Sequence, residues 1–190
     1  HQYPDGDTLG SATALCRGLQ KMGKQVMIRC SDAIGPKFAY LFDGLEQQDF
    51  TPAVVVAVDI ASLQLIGEPN LSLYGDKIDL CIDHHPSNTC YAKQCCVDPK
   101  AAATCEMIFD ILNIFNIDID PAIANCLYTG IVTDTGCFKY SNVTPYTHRI
   151  AADLLEKGAQ AHRICHVMFD TKSRARMDIE RRIMDSIEYY

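Results

Sequence analysis

The run Ala53-Val-Val-Val-Ala-Val58 restricts the possible folds more than any other part of the sequence. A continuously apolar, β-branched segment of this kind is typical of a strand that is buried on both faces of a parallel sheet. Further short strands are predicted at 26–30 and 77–82, and segments with helical periodicity separate the strands. This alternation predicts an α/β fold with a mostly parallel central sheet and helices on both faces.

The predicted helices are bounded by residues that favour helix ends. Apolar residues at helical spacing predict a first helix from Leu9 to Met22, which Gly23 would end. Pro121 suits the first turn of a later helix, and Thr144 suits the N-cap position of another. The other predicted segments are a short helix or turn at 36–44 and helices at 101–112, 121–132, 144–157 and 172–190.

Composition and charge narrow the class of protein. The 190 residues suffice for one large domain or two small ones, and no apolar run approaches the ~20 residues that a membrane helix needs. With 17 basic and 24 acidic residues, the net charge of −7 gives no general attraction for long duplex nucleic acid.

The ten cysteines contain no C-x-x-C pair, which argues against a zinc ribbon or a redox motif. Cys81 and Cys126 lie in apolar segments, where cysteine behaves as a small buried hydrophobic residue. We therefore expect reduced, structural thiols in a cytoplasmic protein. A soft-metal role is a minor alternative for the local cluster of Cys90, Cys95 and Cys96.

Acidic and imidazole side chains stand where strands or helices of the predicted fold end. Ligands of parallel sheets bind beyond the carboxyl ends of the strands, so we expect these side chains to share one rim. The segments are His1-Gln-Tyr-Pro-Asp5-Gly-Asp7 before the first helix, Asp59 after the Val-rich strand, Asp83-His84-His85 after the next strand, and Asp134 after a later helix. Their coincidence favours one common site.

Each segment alone has an ordinary structural explanation. Asp-x-Asp beside Gly is more often a turn than a site, and Asp59 alone could be a helix N-cap. The segment Asp5–Gly10 resembles the start of a calcium-binding EF-hand loop, but Leu9 occupies a ligand position and Cys16 replaces the closing Glu. Asp134-Thr-Gly also occurs in aspartic proteases, which are all-β proteins, whereas this segment follows a predicted helix.

Crowded carboxylates favour a bound cation, because their negative charges would otherwise repel one another. Carboxylate oxygens with a few imidazole nitrogens suit Mn²⁺ or Mg²⁺ better than Zn²⁺. The number of candidate ligands favours two ions over one. Two ions about 3.5–4 Å apart, bridged by a carboxylate, are a common device for hydrolysing phosphate esters.

These four segments, in this order, resemble the four motifs of the DHH phosphoesterase superfamily. The first is similar to H-x-x-P-D-x-D-x-x-G-S, the second to the V-D motif, the third to D-H-H and the fourth to T-D-T-G-x-F. Each motif is weak singly, but together they are specific. The resemblance implies a catalytic domain at 1–170 and, at 171–190, a helix that leads towards a C-terminal substrate-binding domain.

The resemblance also implies a role for each site residue. Two Mn²⁺ ions would be bound, with a water or hydroxide between them as the nucleophile. His1 and Asp5 would ligate one ion, Asp7, His84 and Asp134 would ligate the other, and Asp59 would bridge them. His85 would face the scissile phosphate, where it would stabilise charge or protonate the leaving group. Asp83 would orient the neighbouring histidine.

Within the superfamily, the string T-D-T-G-C-F-K-Y is most similar to the bacterial subgroup that degrades very short RNA and dephosphorylates 3′-phosphoadenosine 5′-phosphate. The resemblance therefore implies a hydrolase of small nucleotides, and a homodimer is compatible with it because family members often dimerise. A cyclic-dinucleotide phosphodiesterase is an alternative.

The chain begins at His1 instead of Met and contains no G-G-G-H-like motif of the C-terminal domain. We therefore expect the catalytic half of a longer enzyme without its substrate-binding domain. A non-catalytic module that binds a nucleotide or a metal is the second alternative.

Overall fold

The central sheet is small and parallel, and its strands follow the order of the sequence. A computed structural model describes residues 1–46 and 48–188. Strands β1 (Val56–Val58), β2 (Leu80–Asp83) and β3 (Gln94–Val97) pair in parallel in the order β1-β2-β3. The carboxyl ends of the three strands therefore meet at one edge of the sheet, as the prediction requires.

Helices account for most of the remaining structure in the described ranges. The α-helices are α1 (Gly6–Lys21), α2 (Asn70–Tyr74), α3 (Thr104–Ile114), α4 (Pro121–Asp134), α5 (Pro145–Glu156), α6 (Ala161–Cys165) and α7 (Arg174–Asp185). Two 3₁₀ segments cover Pro36–Phe42 and Leu63–Ile66, and a π-helical turn covers His166–Asp170. None of the described helices is both long and apolar enough to cross a membrane.

Both faces of the sheet are covered, because successive side chains of a strand point to opposite faces. Val58 and Ile82 join the large core, which α1, α3, α4 and α5 complete. Ala57 joins a smaller cluster with Ile60 and Ile66 on the other face. The predicted α/β class, with helices on both faces of a parallel sheet, is confirmed.

Two glycines let α1 and α4 approach closely enough to position the site. A Cβ at Gly10 would lie 2.4 Å from the carbonyl oxygen of Cys126. A Cβ at Gly130 would lie 2.2 Å from Cys105 Sγ and 2.6 Å from Asp7 Oδ1. No real side chain tolerates such distances, so the helix contact at Asp7 requires glycine at position 130.

Two strand predictions need correction. The predicted strand at 26–30 is not formed, because this segment has no hydrogen-bonded neighbouring strand in the described part of the chain. The main-chain N–H of Val26 donates to the side chain of Gln48 instead. The apolar run at 53–58 joins the sheet only from Val56, and Val54 is 61% exposed. Strand β3 was not predicted, because its Gln-Cys-Cys-Val sequence is short. In the structure this strand is mostly exposed.

Helix boundaries differ less from the predictions. Helix α1 begins at Gly6, before the predicted Leu9, because the Asp5 carboxylate caps it by accepting the N–H groups of Asp7 and Thr8. Helix α4 begins at Pro121 as predicted, and Thr144 caps α5 as predicted. Helix α7 ends at Asp185 and has no buried residue. The predicted helix extended to 190, of which positions 189 and 190 lie outside the described residues.

The buried thiols match the prediction for structural cysteines. Cys81 and Cys126 are 0% and 1% exposed, and all ten cysteines are free. Cys90, Cys95 and Cys96 are exposed, and within the described residues none of them belongs to a group of three potential metal ligands. The structure therefore gives no support to a soft-metal site at these positions.

Candidate metal centre

Asp7 connects the first turn of α1 to the N-terminus of α3. Its side chain is fully buried, and its carboxylate accepts main-chain N–H groups from Thr104 (2.6 Å) and Cys105 (2.9 Å). The first N–H groups of a helix have no acceptor within the helix, and negative charge is favoured at this end. The two hydrogen bonds fix the carboxylate in place.

Asp59 follows β1 in a left-handed backbone conformation, with φ at 58°. Its carboxylate is buried and accepts the hydroxyls of Thr8 (2.7 Å) and Thr104 (2.9 Å). It is therefore not a helix N-cap, the ordinary explanation for an Asp at this position. A strained, non-glycine left-handed residue between two hydroxyl donors is a common feature of functional sites.

Asp83, at the end of β2, organises the two histidines that follow it. One carboxylate oxygen accepts His85 Nδ1–H (2.7 Å) and the main-chain N–H of His84 (2.9 Å), and the other accepts the amide of Asn88 (2.6 Å). Burial raises the pKa of Asp83, but hydrogen bonds from His85 and Asn88 outweigh it, so the net pKa is lowered. The side chain is thus a buried, ionised acceptor.

His84 directs one ring nitrogen into a group of carboxylates. Its Nδ1 lies 3.2 Å from the carbonyl oxygen of Ala101, an acceptor that fixes the proton on Nδ1. Its Nε2 lies 3.1 Å from Asp134 Oδ2, 3.8 Å from Asp59 Oδ1 and 3.9 Å from Asp7 Oδ2. Nε2 is buried and has no well-directed hydrogen bond. Nε2 therefore faces three acidic side chains.

The electrostatics of this cluster favour a positive charge at its centre. Burial raises the pKa of Asp7 well above its usual range, and the neighbouring Asp59 and Asp134 raise it further. Burial also raises the pKa of Asp59, with a contribution from Asp5. Although burial lowers the pKa of His84, the carboxylates of Asp134 and Asp7 raise it to about 9. Without a cation, the cluster retains protons.

The donor set fits a divalent cation. Two groups of three side chains have potential ligand atoms within 4.8 Å of one another: Asp7, His84 and Asp134, and Asp59, His84 and His85. The first group contains the three ligands that the resemblance assigned to one ion besides the bridging Asp59. His84, which both groups share, and the surrounding carboxylates are ligands of the kind that Mn²⁺ accepts once Nε2 has lost its proton.

The structure does not gather the ligands predicted for the other ion into such a group. Within the described chain, neither His1 nor Asp5 belongs to a group of three potential ligands, and Asp5 is exposed at the helix cap. However, Asp5 is close enough to Asp59 to raise the pKa of Asp59. The Nδ1 atom of His1 is buried without a hydrogen-bond partner among the described residues.

The sequence did not indicate the residues that hold the acidic and histidine side chains of the site. Thr8 directly follows the Asp5-Gly6-Asp7 segment, so its position in the sequence already indicated that it lies near the site. Asn88 lies five positions after Asp83, and Thr104 and Ala101 lie in a distant segment with no recognisable motif. Their contacts depend on how the segments pack.

The class of protein follows from this fold and this cluster of carboxylates and histidines at the strand ends. The chain matches the model of the DHH family, N-terminal domain, over residues 1–131, and it belongs to this family. The resemblance inferred from the four motifs is thereby confirmed.

Individual relatives narrow the comparison. The chain is 34% identical over 167 residues to the bifunctional oligoribonuclease and PAP phosphatase NrnA of Thermus thermophilus, an alignment that covers 84% of this chain and 49% of the relative. It is 27% identical to the protein of the same name from Bacillus subtilis, covering 90% of this chain and 56% of that one. The chain thus spans about half the length of the curated relatives it matches.

A solved structure supports the fold alone. A crystal structure of an exopolyphosphatase-related protein from Bacteroides fragilis matches with a TM-score of 0.88 and 23% sequence identity, covering 100% of this chain and 60% of that chain.

Proposed function

We propose that this chain carries the catalytic centre of a metal-dependent hydrolase that cleaves phosphoester bonds in small nucleotides. One observation carries the proposal: the three carboxylates of Asp7, Asp59 and Asp134 approach within 4 Å of His84 Nε2, a buried nitrogen without a well-directed hydrogen bond. Such a set is costly to maintain unless a cation neutralises it.

Two Mn²⁺ ions are the proposed cofactors, with Mg²⁺ as the alternative. Asp7, His84 and Asp134 would hold one ion, His1 and Asp5 would hold the other, and Asp59 would bridge the two. When bound, such ions neutralise the charge on the phosphate and make water acidic enough to act as a nucleophile. The threonine hydroxyls on Asp59 and the helix N–H groups on Asp7 keep these carboxylates in position.

His85 is the proposed acid that faces the scissile phosphate. Its Nδ1–H donates to Asp83, and its side chain is 41% exposed, so the ring is accessible to a substrate. The Asp83 hydrogen bond raises the pKa of His85, which keeps the ring protonated to higher pH. A protonated ring can stabilise phosphate charge or give its proton to the leaving oxygen.

Short oligoribonucleotides and 3′-phosphoadenosine 5′-phosphate are the proposed substrates. The names of the relatives from T. thermophilus and B. subtilis support this choice. The net charge of −7 also favours a small substrate over a long strand, because the surface offers no general attraction for a polyanion. Ten free thiols agree with the proposed cytoplasmic setting.

Calorimetric titration with Mn²⁺ tests the metal centre directly. We expect the parent chain to bind Mn²⁺ and the Asp59→Ala variant to lose most of that binding. Asp49→Ala is the matched control, because Asp49 is 93% exposed and pairs only with Arg29 among the described residues. Absence of Mn²⁺ binding by the parent would overturn the proposal.

Hydrolysis assays then separate binding from catalysis. A ribodinucleotide and 3′-phosphoadenosine 5′-phosphate serve as substrates, with Mn²⁺ present. His85→Ala should bind Mn²⁺ like the parent yet lose at least about 100-fold in hydrolysis rate, in the range typical of a general acid. An unchanged rate in this variant would remove His85 from the proposed chemistry.

A further inference from the structure

Asn142 joins two main-chain segments that border the metal centre. Its side-chain amide donates to the carbonyl oxygen of Ala102 (2.9 Å) and to that of Asp134 (3.2 Å). Both partners are acceptors, so the amide orientation is determined: a flipped side chain would turn its oxygen towards two carbonyl oxygens. Both N–H groups of the amide are thus used to hold main chain.

Each acceptor belongs to a segment that contacts one nitrogen of the His84 ring. Ala102 directly follows Ala101, whose carbonyl oxygen accepts from His84 Nδ1. Asp134 approaches the other ring nitrogen, with its Oδ2 3.1 Å from His84 Nε2. Asn142 therefore connects the segment that sets the proton position on His84 with the segment that supplies the acidic partner of the ring.

The turn between Asp134 and Asn142 has an unusual backbone conformation. Gly136, Cys137 and Phe138 all have positive φ values, of 53°, 58° and 62°. Two of these residues are not glycine, and such a conformation persists only where the surrounding structure holds it. The Asn142 amide donates back across the turn to its first residue and so helps to hold it.

We propose that Asn142 is a positioning residue for the metal centre, one that sets the spacing of His84 and Asp134. The inference rests on the proposed function, because it requires a cation between these two ligands. Hydrogen bonds behind metal ligands commonly contribute 10–100-fold to metal affinity. Asn142 acts through main chain and is not itself a ligand.

The test compares Asn142→Ala with Asn113→Ala. Asn113 is a fair control, because its amide also donates to a main-chain carbonyl, that of Phe109 (3.0 Å), at the far end of α3. We expect Asn142→Ala to bind Mn²⁺ about 10–100-fold more weakly, as other ligand-supporting residues do. Asn142→Ser, whose hydroxyl donates one hydrogen bond, should lie between it and the parent. Asn113→Ala should bind like the parent.

A second readout excludes a merely structural role. With Co²⁺ as the probe ion at saturating concentration, the visible absorption bands report ligand geometry. They should shift in Asn142→Ala and stay unchanged in Asn113→Ala. If both Asn142 variants bind Mn²⁺ with parental affinity and parental Co²⁺ spectra, the positioning role is wrong while the proposed function stands. If the parent itself binds neither ion, the proposed function fails first.

Discussion

The two nitrogens of the His84 ring have separate tasks. Nδ1 faces the carbonyl oxygen of Ala101, and Nε2 faces the carboxylates. The second nitrogen therefore lies among negative charges. Protons and divalent cations compete for that place, because each neutralises the same charges.

This competition predicts the pH dependence of metal binding. In the metal-free protein the pKa values of Asp7 and Asp59 are raised, mainly by burial, and that of His84 is raised to about 9. Bound protons must leave before a cation enters, so Mn²⁺ affinity should rise with pH and continue to rise up to about pH 9. Calorimetry at several pH values, in two buffers with different ionisation enthalpies, measures both affinity and released protons. A pH-independent affinity would contradict this prediction.

A second prediction concerns the pair of Asp83 and His85. The Asp83 hydrogen bond raises the pKa of His85, so Asp83→Asn should lower it. An acid catalyst is active below its pKa and inactive above it. The alkaline limb of the pH–rate profile should therefore move to lower pH in Asp83→Asn. The profile of kcat at saturating Mn²⁺ provides the measurement, and an unmoved alkaline limb would argue that His85 does not titrate in catalysis.

Residues that are adjacent in sequence were predictable at the site, and residues that meet only by packing were not. Asp83 ends one strand and His84 and His85 come directly after it, so their common location followed from the strand itself. The hydroxyl of Thr104 reaches Asp59 only because α3 begins at the strand ends. Nothing in the sequence around Thr104 indicates that placement.

At the scale of elements, helices were more predictable than strands. Helix α4 has Pro121 and α5 has the Thr144 cap within the local sequence, which suffices to place their starts. A strand needs a neighbour, and the segment at 26–30 has the apolar character of a strand without a partner in the described chain. Strand β3 is the reverse case, because pairing with β2 makes a strand of an exposed segment.

The close contact of α1 and α4 predicts the effect of Gly130→Ala. The added methyl group would lie 2.2 Å from Cys105 Sγ and 2.6 Å from Asp7 Oδ1, so the helices must separate or Asp7 must move. Overpacking of this kind costs about 1–3 kcal/mol of unfolding free energy. Urea unfolding in EDTA measures that loss, and Mn²⁺ titration measures the displacement of Asp7. Gly35→Ala is the control, because the nearest atom to its Cβ would lie 3.9 Å away. Equal stability of the two variants would contradict the argument.

At the scale of the whole molecule, the proposed metal centre combines distant parts of the chain. The proposed ligands Asp7, His84 and Asp134 come from α1, the segment after β2 and the end of α4. A partly folded chain cannot gather these side chains. Binding of a cation there would therefore be coupled to the folding of the entire α/β unit.

This coupling predicts stabilisation by Mn²⁺. A ligand at 100 times its Kd that binds the folded state alone adds about 2.7 kcal/mol to the unfolding free energy. The thermal midpoint of the parent should rise with Mn²⁺ concentration, whereas that of Asp59→Ala should stay nearly constant. Differential scanning calorimetry measures both thermal midpoints, with the metal-free protein in EDTA as the reference. A parallel rise in both proteins would indicate a site elsewhere.

The hydrogen bonds from α3 to Asp7 extend the influence of a cation beyond its ligands. The amide hydrogens of Thr104 and Cys105 can exchange with solvent only when the Asp7 carboxylate moves away from the helix end. A cation that immobilises Asp7 would slow that exchange. The occupancy of the centre would then be recorded in the deuterium uptake of a helix that contributes no ligand to it.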